Sequence, residues 1–110
     1  MQFFTLLALA TSATLTSAVV VDLFADTNCN EPAGSRNIYE NTCAPLGGFQ
    51  SFRITGSGAG GQQLSAYSRN ACAGPVTACT GVAATGDCQR ATNDDGGSNA
   101  MSSSPVCGAV

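Results

Sequence analysis

Apolar and polar positions alternate along this chain in short runs, and nowhere does a helical spacing persist beyond two turns, so the elements it predicts are strands. Val19 to Phe24 is β-branched and aromatic, too short for a helix, and stops at the turn-forming Asp26-Thr27-Asn28. Asn37 to Glu40 is a second, shorter strand, set between Pro32-Ala33-Gly34-Ser35 and Asn41-Thr42. Leu46-Gly47-Gly48 then turns the chain into Phe49 to Ile54. There Phe52 and Ile54 share one face, and Ser51 and Arg53 the other. Gln63 to Tyr67 and Val76 to Val82 are further strands. Beyond Cys88 the apolar content drops: 91–98 reads as turn and loop, leaving Asn99-Ala100-Met101 and Pro105-Val106-Cys107 as short edge strands. Thr55 to Gly61 holds four glycines in seven residues, too costly in entropy for regular structure, and reads as a flexible connector. The expected fold is all-β, a small two-sheet sandwich with covered edges.

A faint internal echo supports two related halves, about 19–55 and 62–110. Ser65 to Pro75 repeats Asp22 to Pro32, with Tyr67 over Phe24, Cys72 over Cys29, Pro75 over Pro32, and Leu64 over Val21 just before. A period in the forties is the length of one small supersecondary unit.

The first eighteen residues change the picture of what the mature protein contains. Phe3 to Ala10 is a short apolar core, and Thr16-Ser17-Ala18 places small residues where a signal peptidase reads, so 1–18 is expected to be an export signal cleaved after Ala18, with Ala10 or Ala13 as alternative cleavage positions. The apolar run is too short to span a bilayer. Residues 19–110 form a single domain that holds all six cysteines. A globule of that size buries little apolar surface, and here Ala, Gly, Ser and Thr dominate with no Trp. Export and an even cysteine count therefore imply three disulfides. By loop entropy each would contribute about 3 kcal/mol.

Charge and composition exclude several functions. Four arginines and no lysine stand against seven acids, a net charge of -3, so no basic patch can be assembled for nucleic acid or an anionic membrane. Histidine is absent, which removes Ser-His-Asp and Cys-His catalysis, His-ligated zinc and His-based acid–base work. Asp94 and Asp95 are adjacent, whereas glycosidase acids must flank a sugar across a cleft. Arg53 and Arg69 are expected to pair with surface acids, and Tyr39, Tyr67, Phe49 and Phe52 to lie in or beside the core.

Tyr67-Ser68-Arg69-Asn70-Ala71-Cys72-Ala73-Gly74, with its aromatic-x4-residue-x-Gly spacing, and the strand Ser51-Phe52-Arg53-Ile54 resemble the Greek-key unit of the βγ-crystallin-like superfamily. Cys72 stands where that family usually carries a second aromatic, and Glu31 stands in the first half where it has glycine. With the export signal and the Asn-Cys after an aromatic strand, the chain also resembles small secreted cysteine-rich proteins of filamentous fungi. The resemblance implies a disulfide-rich Greek-key sandwich of βγ-crystallin-like halves. Killer toxins, a metalloproteinase inhibitor and candidate effectors acting on a host share that structural group.

Six cysteines admit fifteen pairings. Two equivalent halves favour Cys29–Cys43 and Cys72–Cys88, leaving Cys79–Cys107. Asp94-Asp95-Gly96-Gly97-Ser98-Asn99 resembles the calcium signature of some βγ-crystallin-like domains, which would make Asp94, Asp95 and Ser98 ligands. The signature's last serine is replaced by Asn99, and 46–51 carries no acid, so the expected state is a solvated loop with no metal and no cofactor.

The expected function is that of a secreted, extracellular, monomeric binding protein, a fungal effector contacting a host protein or surface without catalysis, nucleic acid or membrane insertion. The alternatives are a protease inhibitor or killer-toxin-like antimicrobial protein, using the loop Gly81 to Asp87 between Cys79 and Cys88, and a structural protein of the cell surface.

Overall fold

A computed structural model describes residues 18–94 and 96–109, so the expected export segment lies outside the described residues except for Ala18. Among the described residues eight strands run in order: β1 (Ala18–Phe24), β2 (Pro32–Tyr39), β3 (Thr42–Phe49), β4 (Ser51–Gly56), β5 (Gln63–Arg69), β6 (Ala73–Gly81), β7 (Cys88–Arg90) and β8 (Ser98–Ser104). They make two four-stranded sheets, β2-β1-β4-β7 and β3-β8-β5-β6, in which every neighbouring pair is antiparallel. The protein is all-β, with three disulfides. Read from its other edge, the second sheet is β6-β5-β8-β3. The first, second and fourth strands of each run of four thus stay together, while the third crosses to the opposite sheet.

The core lies between the sheets because alternation sends one row of each inward. Val19, Val21, Leu23, Ile38, Phe52 and Ile54 come from the first sheet, and Phe49, Leu64, Ala66 and Met101 from the second, all in one buried cluster. Leu23 is paired with Phe52 and Val21 with Ile54, so large and branched side chains share an inner row.

Several elements differ from the sequence expectation, among them β7, which no expected strand covered, and β6, which begins at Ala73 instead of Val76. β2 begins at Pro32 instead of Asn37: a register shift opposite Leu23/Phe24 and a positive φ of 115° at Gly34 carry the turn-like residues into the sheet edge. β3 runs through Leu46-Gly47-Gly48, which departs from the pairing with β8 between Pro45 and Phe49 without ending the strand. β8 is no edge strand, since it lies between β3 and β5 and six of its seven residues are buried. Pro105-Val106-Cys107 follows it as turn.

Serine-rich β8 can be buried because its hydroxyls have partners. Ser102 Oγ lies 2.9 Å from Tyr67 Oη, Ser103 Oγ donates to Gln62 Oε1, Ser104 Oγ to Val106 O, and Ser98 Oγ to Ala91 O. The glycine-rich link after β4 is held closely at one point. Gly58 has φ of +66°, and a Cβ there would lie 2.7 Å from Ala18 O, so only glycine fits.

The disulfides are Cys29–Cys88, Cys43–Cys72 and Cys79–Cys107. Two of the expected pairs, Cys29–Cys43 and Cys72–Cys88, are replaced, and strand exchange is the reason. Cys43 rides on β3 into the second sheet, and Cys88 on β7 into the first. Each turn cysteine, Cys29 or Cys72, therefore finds the third-strand cysteine of the other run of four. The two crossed bridges staple together what neither run could close alone.

Candidate contact surface

Cross-strand partners share a face, which defines what each sheet shows outwardly. On the second sheet one row reads Cys43, Ser102, Ser65, Cys79. Both cysteines bond outward to turns, at Cys72 and Cys107, which lie over the face. Gly108 N donates to Ser65 Oγ at 2.9 Å, and Ser65, Tyr67 and Ser102 are buried under this roof. That face is closed.

The first sheet is closed at one end only, by the turn 25–31. The row there is Ser35, Asp22, Arg53, Cys88. Ser35 Oγ donates to Asp22 Oδ1 at 2.6 Å. The Arg53 guanidinium lies 5.6 Å from the Phe24 ring centre, and its Nε donates to Gly86 O. Arg53 is thus held by a ring face and a backbone carbonyl, not by the surface acid expected for it. Beyond this end the sheet is open. Asn37, Thr55 and Tyr39 are exposed, Tyr39 at 44%, so of the four aromatic residues expected in or beside the core it alone stands out in solvent.

Edges sharpen the contrast. β3 carries Pro45 and a break in its pairing, β6 carries Pro75 and two register shifts, and β7 is three residues long. β2 is unbroken from Gly34 to Tyr39, with Arg36 as the one charge within it. A shallow hollow of about 420 Å³ is lined by Ser35, Arg36, Asn37 and Tyr39, and a smaller one of about 200 Å³ by residues of β1 and β2 including Asp22 and Gly34. The sequence signal for this surface was thin: a β-strand core, Ile38 and Tyr39, beside turn-like residues.

Asp26 builds the end wall. Its Oδ1 accepts from Glu31 N at 3.0 Å and Asn30 N at 2.9 Å, its Oδ2 from Asn28 N, and its backbone carbonyl from Ser51 Oγ. Ser51 Oγ also accepts from Cys29 N, where the backbone turns with φ of 58°. The Glu31 backbone N–H foremost, with those of Asn30 and Asn28, holds the Asp26 carboxyl below its ordinary range. A depressed folded pKa means stability that is present above the unfolded value and lost as pH falls through the folded one. Acid titration of wild type and Asp26→Asn by urea denaturation across about pH 5 to 2 is expected to show a steeper loss in wild type. Parallel curves would assign the turn no share of the acid sensitivity.

Of the residues weighed for calcium, Asp94 and Ser98 stand in different settings. Asp94 is exposed beside the Asn93–Gly96 backbone pair, whereas Ser98 is fully buried with its hydroxyl held by Ala91 O and Thr77 Oγ1. Asp95 lies outside the described residues. Among the described residues no group of three His, Cys, Asp or Glu could hold a metal ion. No described helix is long and apolar enough to cross a membrane. The loop 81–87 is tethered rather than free: Val82 is buried, and Gly86 N donates to Ile54 O.

Comparison with protein-family models, characterised proteins and solved structures finds no match to this chain. The fold and surface define only a class, a small all-β domain of two antiparallel sheets cross-linked by three disulfides. Such cross-linking of a small domain is consistent with an extracellular protein.

Proposed function

We propose that this chain is a secreted, non-enzymatic binding protein, a fungal effector that engages a host protein outside the cell through the open face and edge of β2. The observation that carries it is the asymmetry of the surface. One sheet is roofed by disulfide-clamped turns and three edges are blunted, while β2 keeps unbroken pairing from Gly34 to Tyr39 with every residue but Ile38 exposed, Arg36 and Tyr39 among them. An aromatic and an arginine are the residue types that most often dominate contact energies. The crossing of the third strand in each run of four supports two Greek-key halves of βγ-crystallin-like kind. Fold alone does not choose a function, so the reading rests on the surface.

Tagged protein incubated with extracellular fluid of plant tissue is expected to capture a defined host protein, with Arg36→Glu/Tyr39→Ala reducing capture at least about tenfold while the melting temperature stays near wild type. Equal capture by the double variant removes β2 as the contact surface, and no saturable capture at all removes the binding reading.

The tethered loop 82–87 supports a second reading, protease inhibition. Its anchors at Ile54, Arg53 and Cys88 supply the rigidity that an inhibitory loop needs. Stoichiometric loss of activity in a panel of secreted proteases would favour it over the effector reading.

A further inference from the structure

The three disulfides are not equivalent in what they hold or how they can be reached. Cys29 is buried although its partner Cys88 is exposed, and Cys43 and Cys72 are both half-buried. Cys79 and Cys107 are both exposed. The first two bridges each fasten a strand that has crossed from the other run of four, β7 or β3, to a turn of the sheet it joins. The third ties only the turn after β8, residues 105–109, to edge strand β6.

We propose that Cys79–Cys107 is a thiol-exchange site, a latch that a small thiol opens while the two crossed bridges and both sheets stay intact. Exposed disulfides are the readily exchanged ones. Geometry also gives the exchange a direction. Cys107 lies in an exposed turn next to Gly108, open to an incoming thiolate. Cys79 is fixed in β6, and Ser65 Oγ donates to its Sγ at 3.7 Å. A hydroxyl donor at that sulfur stabilises the negative charge it acquires on leaving.

The thiolate therefore attacks Cys107 Sγ, forming a new sulfur–sulfur bond there as the Cys79–Cys107 bond breaks. Its electron pair departs on Cys79, which becomes a thiolate facing Ser65. A second thiol attacking the mixed disulfide yields the thiol's own disulfide and leaves Cys107 reduced. What then keeps the turn in place is slight: Gly108 N to Ser65 Oγ, Ser104 Oγ to Val106 O, and Ala109 N to Val106 O. Release of 105–109 withdraws one half of the roof over the second sheet and uncovers Ser65, whose hydroxyl is otherwise buried.

The oxidised full chain, exposed to rising reduced glutathione, quenched with an alkylating agent and mapped as unreduced peptides, tests this directly. Cys79–Cys107 is expected to open at least about tenfold faster than either other bridge, with the first glutathione adduct on the Cys107 peptide and the strand signal in circular dichroism unchanged. Opening of Cys29–Cys88 or Cys43–Cys72 at an equal or greater rate overturns the latch, as does loss of strand signal in step with the first opening. A first adduct on Cys79 overturns the direction assigned by Ser65. The experiment does not touch β2, so it stands apart from the contact reading above.

Discussion

Replacing Cys29 and Cys88 together by serine is expected to lower the unfolding free energy by about 4 kcal/mol, the loop-entropy value for a closed segment of this length. The bridge spans 59 positions and joins the turn after β1 to β7, which belongs to the other run of four strands. Total stability of a small domain is only about 5–15 kcal/mol, so this single change takes away a large part of it. The loss has a second source in the folded state. Cys29 is buried, its N–H bonded to Ser51 Oγ, and its sulfur lies 3.6 Å from Phe52 O. Urea denaturation of the double-serine variant against wild type measures the effect. A midpoint within error of wild type would mean that β7 is held in the first sheet without that staple.

Truncating Phe52 to alanine is expected to cost about 4 kcal/mol, within the range for emptying an aromatic site in a packed core. Phe52 is fully buried on β4, opposite Leu23 on β1 and Gln89 on β7, in the central strands of its sheet. It shares one buried cluster with Val21, Leu23, Ile38 and Ile54, side chains already close-packed that cannot move far enough to fill an aromatic-sized hole. Phe52→Leu keeps most of the volume and is expected to cost less than about 1.5 kcal/mol. Tyr39→Ala, at an exposed position, is expected to stay within about 0.5 kcal/mol of wild type. Guanidinium titrations of the three variants check the ranking. A Phe52→Ala cost no larger than that of Tyr39→Ala would place the core elsewhere.

Strand β4 shows how far alternation could be read. Ser51-Phe52-Arg53-Ile54 assigns faces by residue type, and Phe52 and Ile54 do face inward while Arg53 faces out. β8 shows where such reading failed. Ser-Asn-Ala-Met-Ser-Ser-Ser looks like solvent-facing sequence, yet it lies inside the second sheet. Burial of a hydroxyl depends on a partner, and the partners are distant in the chain: Tyr67 for Ser102, Gln62 for Ser103. The contact surface was hidden for a related reason. Tyr39 looks like core in sequence, and only its place at the end of an edge strand leaves it in solvent.

By itself, then, the order of residues determined that the chain would be built of strands, that a β-rich chain this poor in aromatic bulk needs sulfur cross-links, and that no histidine chemistry is open to it. Those conclusions follow from local geometry and residue inventory, which need no knowledge of neighbours far along the chain. Tertiary structure alone decided which cysteines meet, which serines are buried and which edge stays open. Each of these depends on β3 and β7 crossing between sheets, and that exchange is set by how two faces bury one another, not by any stretch of sequence taken alone.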